Sequence, residues 1–275
     1  VSGVTAPVEA GTLGGRLWFY SNYHCNLACA YCLTESSPRV ARRVLAAADI
    51  IALATEAVDL GFTSFGITGG EPFLLPDMPR TVARLAGLRP VVVLSNGTLF
   101  TDRLLRRLAP LAGLPVAIQV SLDSADAEVN DELRAPQNHA RVSEAIPRLV
   151  DAGVGVRIAT TSEGLDAGAM ERLCALHRSL GVPDDDHVVR PVVRRGRAAT
   201  GGLGVDVNAA DLPPELTITA DGAFWSPFGP TVRGQRLDTD LLVTRTTRPL
   251  AIPAAAILRL VAGRPPGADA GLNIR

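Results

Sequence analysis

Residues 23–32 read YHCNLACAYC and place Cys25, Cys29 and Cys32 within eight positions of a chain whose one other cysteine is Cys174. This C-x3-C-x2-C spacing limits the possible folds more than any other feature. It follows directly on a short aromatic run, RLWFYS (16–21), so three thiols leave the end of one strand and meet in one loop. Three thiolates from one loop suit an iron–sulfur cube whose fourth iron has no protein ligand. An open coordination position of that kind is where a substrate or cofactor binds. Zinc is the alternative, as a Cys3His site completed by His24 or His187, although ligation by both Cys25 and its neighbour His24 would strain the loop. Three cysteines buried as small apolar groups fit poorly, because Asn26, His24 and two tyrosines share the stretch.

The surrounding pattern says where that loop sits. Short β-branched runs, SFGIT (64–68), VVVLS (91–95), VAIQVS (116–121), VRIATT (156–161) and HVVRPVV (187–193), alternate with longer amphipathic stretches. Helical spacing is read at 44–61, closing on Gly61, and at 101–113, opening on Thr101 as an N-cap. Two further stretches end in Gly153 and Gly181. About six βα units over residues 16–198 predict an α/β fold, a partial (β/α)6 TIM-like barrel open on one side. The cysteines then lie at the carboxyl-end rim, where parallel sheets bind ligands.

After RRGRAATGGLG (194–204), read as a linker, the character changes. ELTITADGAFWSPFG predicts a hairpin turning at Asp221-Gly222, and PAAAILRLVAG a closing helix. The expected organisation is an N-terminal arm (1–15), the barrel (16–198) and a small C-terminal α+β appendage (199–275) with a loosely ordered tail from 264.

Composition narrows the function classes. With a net charge of −1 there is no broad footprint for nucleic acid or an acidic membrane. No apolar run approaches a membrane span, and the first residues lack the basic start and apolar stretch of a secretory signal. A cytoplasmic address follows, where clustered cysteines favour metal binding or catalysis over disulfides. All 27 basic residues are arginine, which excludes an internal Schiff-base lysine and a P-loop lysine.

The second motif is TGGEPFL (68–74), at the end of the second strand. Its glycines let a ligand approach the backbone, and Glu71 adds an acceptor for a cation. CNLACAYC followed by GGEP at the ends of strands one and two resembles the radical S-adenosylmethionine superfamily, and within it the branch with cysteine-rich C-terminal extensions, which includes peptide- and sulfatase-maturing enzymes. LSNGT (94–98), QVSLDSADAEVNDELRAP (119–136) and RPVVRRGRA (190–198) are similar to that family's motifs on strands three, four and six.

The resemblance implies one [4Fe–4S] cluster on Cys25, Cys29 and Cys32, with S-adenosylmethionine bound at its open iron. It implies that Gly69, Gly70 and Glu71 hold the methionyl ammonium, and that Asn96 belongs to the cofactor site. Ser121 and Asp123 would contact the methionyl carboxylate or ribose, with Arg134 as charge partner and Tyr31 near the adenine. An electron donor such as flavodoxin or ferredoxin would be a partner; nucleic acid and membrane would not. The position of the extension's first cysteine holds Phe228, and no cysteine follows Cys174, so auxiliary clusters on these residues are excluded.

For the reaction, the reading is hydrogen abstraction from a small natural-product precursor such as a sugar or nucleoside, since only about 15 residues precede the first strand. Maturation of a ribosomally made peptide, by epimerisation or crosslinking, is the alternative. A metal-binding scaffold without catalysis is the non-enzyme rival. Cys174 is read as a buried helix residue, His139 and His177 as exposed, and His187 as structural. The arginines of RPVVRRGR form either a solvated run or a site for a carboxylate, phosphate or acidic peptide.

Overall fold

The structure is a computed structural model and describes residues 2–208 and 211–262. The chain opens with helix α1 (Ser2–Glu9) and enters β1 (Arg16–Tyr20), then α2 (Ala47–Asp59) and β2 (Ser64–Thr68). α3 (Met78–Ala86) leads to β3 (Val91–Ser95), and α4 (Asp102–Leu108) to β4 (Val116–Ser121). α5 (Ala127–Leu133) and α6 (Asn138–Asp151) precede β5 (Gly155–Thr161); α7 (Ala167–Ser179) precedes β6 (His187–Arg190). Each of the six strands pairs in parallel with the next. The sequence pattern is explained by burial on both faces: Phe65, Ile67, Val93, Ile118, Val120 and Ile158 are buried on one, and Val92, Gln119 and Ala159 on the other. The helices cover the outer face through residues such as Leu53, Ala57, Val142 and Leu149. Asp166 starts α7 by accepting the Ala169 N–H at 2.7 Å, a cap worth about 1 kcal/mol.

The C-terminal segment is built onto the barrel's sheet. β7 (Thr217–Thr219) lies parallel to the second edge of β1, with Trp18 opposite Thr217. β8 (Gly222–Phe224) returns antiparallel, and β11 (Leu242–Thr244) adds a third strand beyond it. One nine-stranded sheet results, in the order β11-β8-β7-β1-β2-β3-β4-β5-β6. β1 would otherwise present an unpaired edge. A buried hydrogen bond from Trp18 Nε1 to Glu215 Oε2, 2.6 Å long, fastens the junction. The two-stranded ribbon β9 (Val232–Arg233) and β10 (Arg236–Leu237) reaches the cysteine loop, where Val232 N–H donates to Thr34 O at 3.0 Å.

The N-terminal arm contains α1, whose Val4 and Val8 join the core cluster that also holds Ala254 and Ile257 of α9 (Ala251–Ala262). The supposed linker is fixed: it carries α8 (Arg197–Thr200), and Val193 bridges Val205. His177 is fully buried rather than exposed, and His139 is half-buried. The tail from residue 264 lies outside the described residues.

His177 packs edge-on against His187 at 4.3 Å between ring centroids. His187 Nε2 meets Thr160 Oγ1 at 2.9 Å, and its Nδ1 faces Cys174 Sγ at 3.8 Å. Cys174 is therefore half-buried against the outer layer and does not line the cavity described below. Burial pulls the His177 imidazole down to about 3, with His187 acting in the same direction and Asp184 against it. The unfolded chain therefore binds a proton near pH 6.5 that the native state refuses, and stability falls as pH drops below that value. His177→Phe keeps the ring packing and removes the titration. It should lessen the stability lost between about pH 7.5 and about pH 5 by about 2 kcal/mol in urea unfolding, at about 1.4 kcal/mol per pH unit.

Candidate functional site

The carboxyl ends of all six parallel strands open on one cavity of about 1170 Å³, which extends into solvent. Cys25, Cys29 and Cys32 line it from the loop after β1, Gly69 and Gly70 from the turn after β2, and Ser95 and Asn96 from the end of β3. Ser121 and Asp123, Thr160 and Thr161, and Arg190 complete the ring from β4, β5 and β6. Among the sequence-predicted site residues, only Glu71 is absent from this wall.

The cysteine loop is held chiefly through its backbone groups, while Cys25 Sγ also accepts from Leu27 N–H at 3.4 Å and Asn96 Nδ2 at 3.5 Å. Cys25 N–H donates to Ser37 O at 3.3 Å, Cys32 N–H to Cys29 O at 3.2 Å, and Ala30 N–H to Leu133 O at 2.8 Å. Arg197 clamps the loop from below, its Nε donating to Cys29 O at 2.8 Å and its Nη2 to Ser36 O at 2.5 Å. Gly196, in the left-handed region at φ 56°, is required by this approach: a Cβ there would meet Leu33 O at 2.3 Å. All four cysteines are free of disulfides. Burial pushes the Cys25 thiol up to about 12, with Glu71 adding to the effect. Burial also raises Cys29, opposed by the guanidinium of Arg134. Thiols held neutral in this way are deprotonated by a bound metal.

Among the described residues, no group of three His, Cys, Asp or Glu side chains could hold a single metal ion. His187 is engaged with Thr160 and Cys174, and His24 is not in the cavity wall, so neither completes a zinc site. Three thiols lining one cavity fit a polynuclear group such as an iron–sulfur cube, whose irons each take one thiolate.

The Gly-Gly-Glu turn docks onto the same loop. Gly70 N–H donates to Asn22 O at 2.9 Å and reaches Asn22 Oδ1 at 3.1 Å, while Asn22 Nδ2 donates to Glu71 O at 3.0 Å. Glu71 N–H donates to His24 O at 3.2 Å. A Cβ on Gly70 would lie 2.1 Å from His24 O, so only glycine allows this contact. The Glu71 carboxylate turns away from the cavity. It accepts from Asn96 N–H at 2.8 Å, Phe73 N–H at 3.0 Å and Ser95 Oγ at 3.1 Å. Burial lifts it to about 7 against those donors. The acceptors left at this rim for a cation are backbone carbonyls of the glycine pair.

Across the cavity, Tyr31, Asp123 and Arg134 form a buried triad. Tyr31 OH donates to Asp123 Oδ2 at 2.6 Å, and Arg134 Nη1 pairs with Asp123 Oδ2 at 3.2 Å and with Tyr31 OH. Thr161 N–H fixes Asp123 Oδ1 at 2.8 Å. Asn96 ties β3 to the cysteine loop, its Nδ2 donating to Asn26 Oδ1 at 2.9 Å and approaching Cys25 Sγ at 3.5 Å. Tyr20 lines the cavity and bonds Thr34 Oγ1 at 2.9 Å, whereas Tyr23 is packed beneath it. Sequence reasoning overlooked Asn22, Ser95 and Thr161. Their one signal was a polar side chain at the end of an otherwise apolar strand.

Pro227 and Phe228 also line the cavity, so the segment after β8 reaches the site without a cysteine. No described helix is long and apolar enough to cross a membrane.

Comparison with known proteins agrees with this geometry. The mycofactocin maturase MftC of Mycolicibacterium smegmatis is 29% identical over 258 residues, covering 92% of this chain and 57% of that protein. GTP 3′,8-cyclase 1 of Mycobacterium tuberculosis is 33% identical over 144 residues, covering 47% of this chain and 38% of the other. The chain thus spans about half the length, or less, of these curated relatives. Among solved structures, Streptococcus suis SuiB bound to precursor peptide SuiA shares the fold with a TM-score of 0.59 at 20% identity, over 75% of this chain and 46% of that one. The Radical SAM superfamily model matches residues 20–166, more than half of the chain and the span that holds all three cavity cysteines and the Gly-Gly-Glu turn. The chain therefore belongs to the Radical SAM superfamily, whose members are enzymes that use a [4Fe–4S] cluster and S-adenosylmethionine.

Proposed function

We propose that the protein matures a ribosomally made peptide by radical chemistry. The supporting observation is the extent of the relatives. The alignment with MftC, a maturase, runs over 92% of the chain and so takes in the added strands as well as the barrel, whereas the match to the nucleotide cyclase covers 47%. SuiB, a neighbour in fold, was crystallised with a precursor peptide. This reverses the order of the expectations drawn from sequence, in which a small precursor came first.

In this reading Cys25, Cys29 and Cys32 hold the cluster, and the carbonyls of Gly69 and Gly70 receive the methionyl ammonium. Ser121 and the Tyr31–Asp123–Arg134 triad face the rest of the cofactor. When bound and reduced by a donor such as flavodoxin or ferredoxin, the cofactor pair supplies one-electron cleavage of the sulfonium and a 5′-deoxyadenosyl radical that takes a substrate hydrogen. The protein's own work is positional. Asn22 and Arg197 fix the cysteine loop, Asp123 orients Tyr31, and the apolar wall excludes water from a reactive radical. Glu71 acts through Ser95 and Asn96 as a positioning residue.

The test is anaerobic reconstitution, dithionite reduction and mass spectrometry with candidate precursor peptides. Wild type should release 5′-deoxyadenosine and change the mass of a precursor peptide; Cys29→Ala should do neither. Turnover of nucleosides or sugars with peptides left intact would replace the peptide reading by the small-molecule one. Gly70→Ala should lose cofactor-dependent cleavage while keeping a native circular dichroism spectrum, because the clash is local. Asp123→Ala should lower stability by about 3–5 kcal/mol in chemical unfolding, the cost of leaving the buried Arg134 charge unpaired.

A further inference from the structure

Three of the four arginines in RPVVRRGR are engaged by the chain itself. Arg194 donates to Gly204 O at 2.6 Å and lies 3.6 Å from Asp206. Arg195 forms a two-pronged pair with Asp240 at 2.6 and 2.9 Å and also reaches Gly229 O. Arg197 clamps the cysteine loop. Arg190 is different. It ends β6, is half-buried, and lines the cavity, yet among the described residues its guanidinium has neither a hydrogen bond nor an ion pair.

No anion in the cavity is left over for it. Asp123 is bound to Arg134, Tyr31 and the Thr161 amide, and Glu71 is turned out of the wall. The cavity therefore holds one balanced ion pair and one unbalanced cation. Burial already pulls the Arg190 guanidinium down, with Arg134 adding to this and the neighbouring Tyr31 and Asp123 opposing it. Thr161 lies opposite it on β5. The cavity wall also carries an apolar stretch, Leu33, Val192, Val193, Pro227 and Phe228, with Val192 two residues beyond Arg190. A planar guanidinium with free donors at a cavity wall matches a single carboxylate in a two-pronged contact. One unpaired cation is poorly suited to a polyphosphate.

We propose that Arg190 is the carboxylate-binding residue of the substrate subsite, with the wall of Val192, Pro227 and Phe228 receiving an apolar group beside that carboxylate. The inference rests on the cavity being the reaction site proposed above, but does not need the substrate to be a peptide. It makes Arg190 a specificity-determining residue. On a peptide the carboxylate is either the chain terminus or an acidic side chain.

Arginine footprinting with phenylglyoxal on cluster-loaded wild-type protein tests this without a variant. Modification of each arginine is read by peptide mapping, with Arg194 and Arg197 as internal references. With S-adenosylmethionine bound, Arg190 should still react. N-acetylphenylalanine, or N-acetylglutamate α-amide, should slow it about fivefold at several times its Kd, by mass action. N-acetylphenylalaninamide should not. Protection by the first acid assigns the chain terminus, and protection by the second an acidic side chain. Protection by S-adenosylmethionine alone would give the guanidinium to the cofactor and overturn the proposal. So would equal protection by acid and amide, or no protection by any of the three. Failure of the peptide reading looks different: carboxylates would still protect Arg190 while precursor peptides stay unmodified in the turnover assay.

Discussion

The site depends on one lock between two loops. The Gly70 amide donates to Asn22, and Asn22 in turn donates to Glu71 O, so the turn after β2 and the loop after β1 share their backbone hydrogen bonds. Each loop satisfies the other's polar groups, and the thiols are left out of that exchange. This lets the three cysteines face a cavity while the loop backbone is held elsewhere, with Cys25 Sγ also accepting from Leu27 N–H and Asn96 Nδ2. The lock needs two adjacent parallel strands ending at the same height, which the β1–β2 register provides by pairing Tyr20 with Thr68. It also needs glycine at position 70, because any side chain there would strike His24 O.

Much of this was legible in the sequence. The six parallel strands showed because a strand buried on both faces must be a short apolar run, and β2, β3 and β4 fall within the runs at 64–68, 91–95 and 116–121. The cysteine and glycine motifs showed because few other residue types can do their work. What stayed hidden depended on partners distant in sequence. The parallel pairing of β7 with β1 answers an open edge that no local pattern reports. α1 carries Pro7 within eight residues and takes its stability from packing, with Val4 and Val8 in the same core cluster as α9. His177 looked exposed as a polar residue on an outer helix, yet His187 gives it an aromatic partner. Which of the four clustered arginines is unpaired was decided by groups outside the motif: Gly204 O and Asp206 for Arg194, Asp240 for Arg195, and Cys29 O and Ser36 O for Arg197.

The C-terminal strands do two jobs here. They close the edge of the sheet at β1, and through Pro227 and Phe228 they supply part of the cavity wall. The position where the resembling branch carries the first cysteine of its extension is thus a buried phenylalanine at the site itself. In the proposed reaction this apolar wall would shield a reactive species from water and give a substrate an apolar surface to rest on. The cavity wall thus combines thiols and glycine backbone, an ion-paired triad with the unpaired Arg190 near it, and an apolar stretch that includes Pro227 and Phe228.

The central claim is that the three thiols hold one cluster with an iron open to S-adenosylmethionine. Electron paramagnetic resonance of the anaerobically reconstituted, dithionite-reduced protein, recorded with and without S-adenosylmethionine, addresses it most directly. The account predicts about four irons per chain, one half-integer-spin signal, and g values that move when S-adenosylmethionine is added. Cys32→Ala should lose that signal. A colourless protein holding a single divalent ion, or a cluster signal indifferent to S-adenosylmethionine, would contradict it.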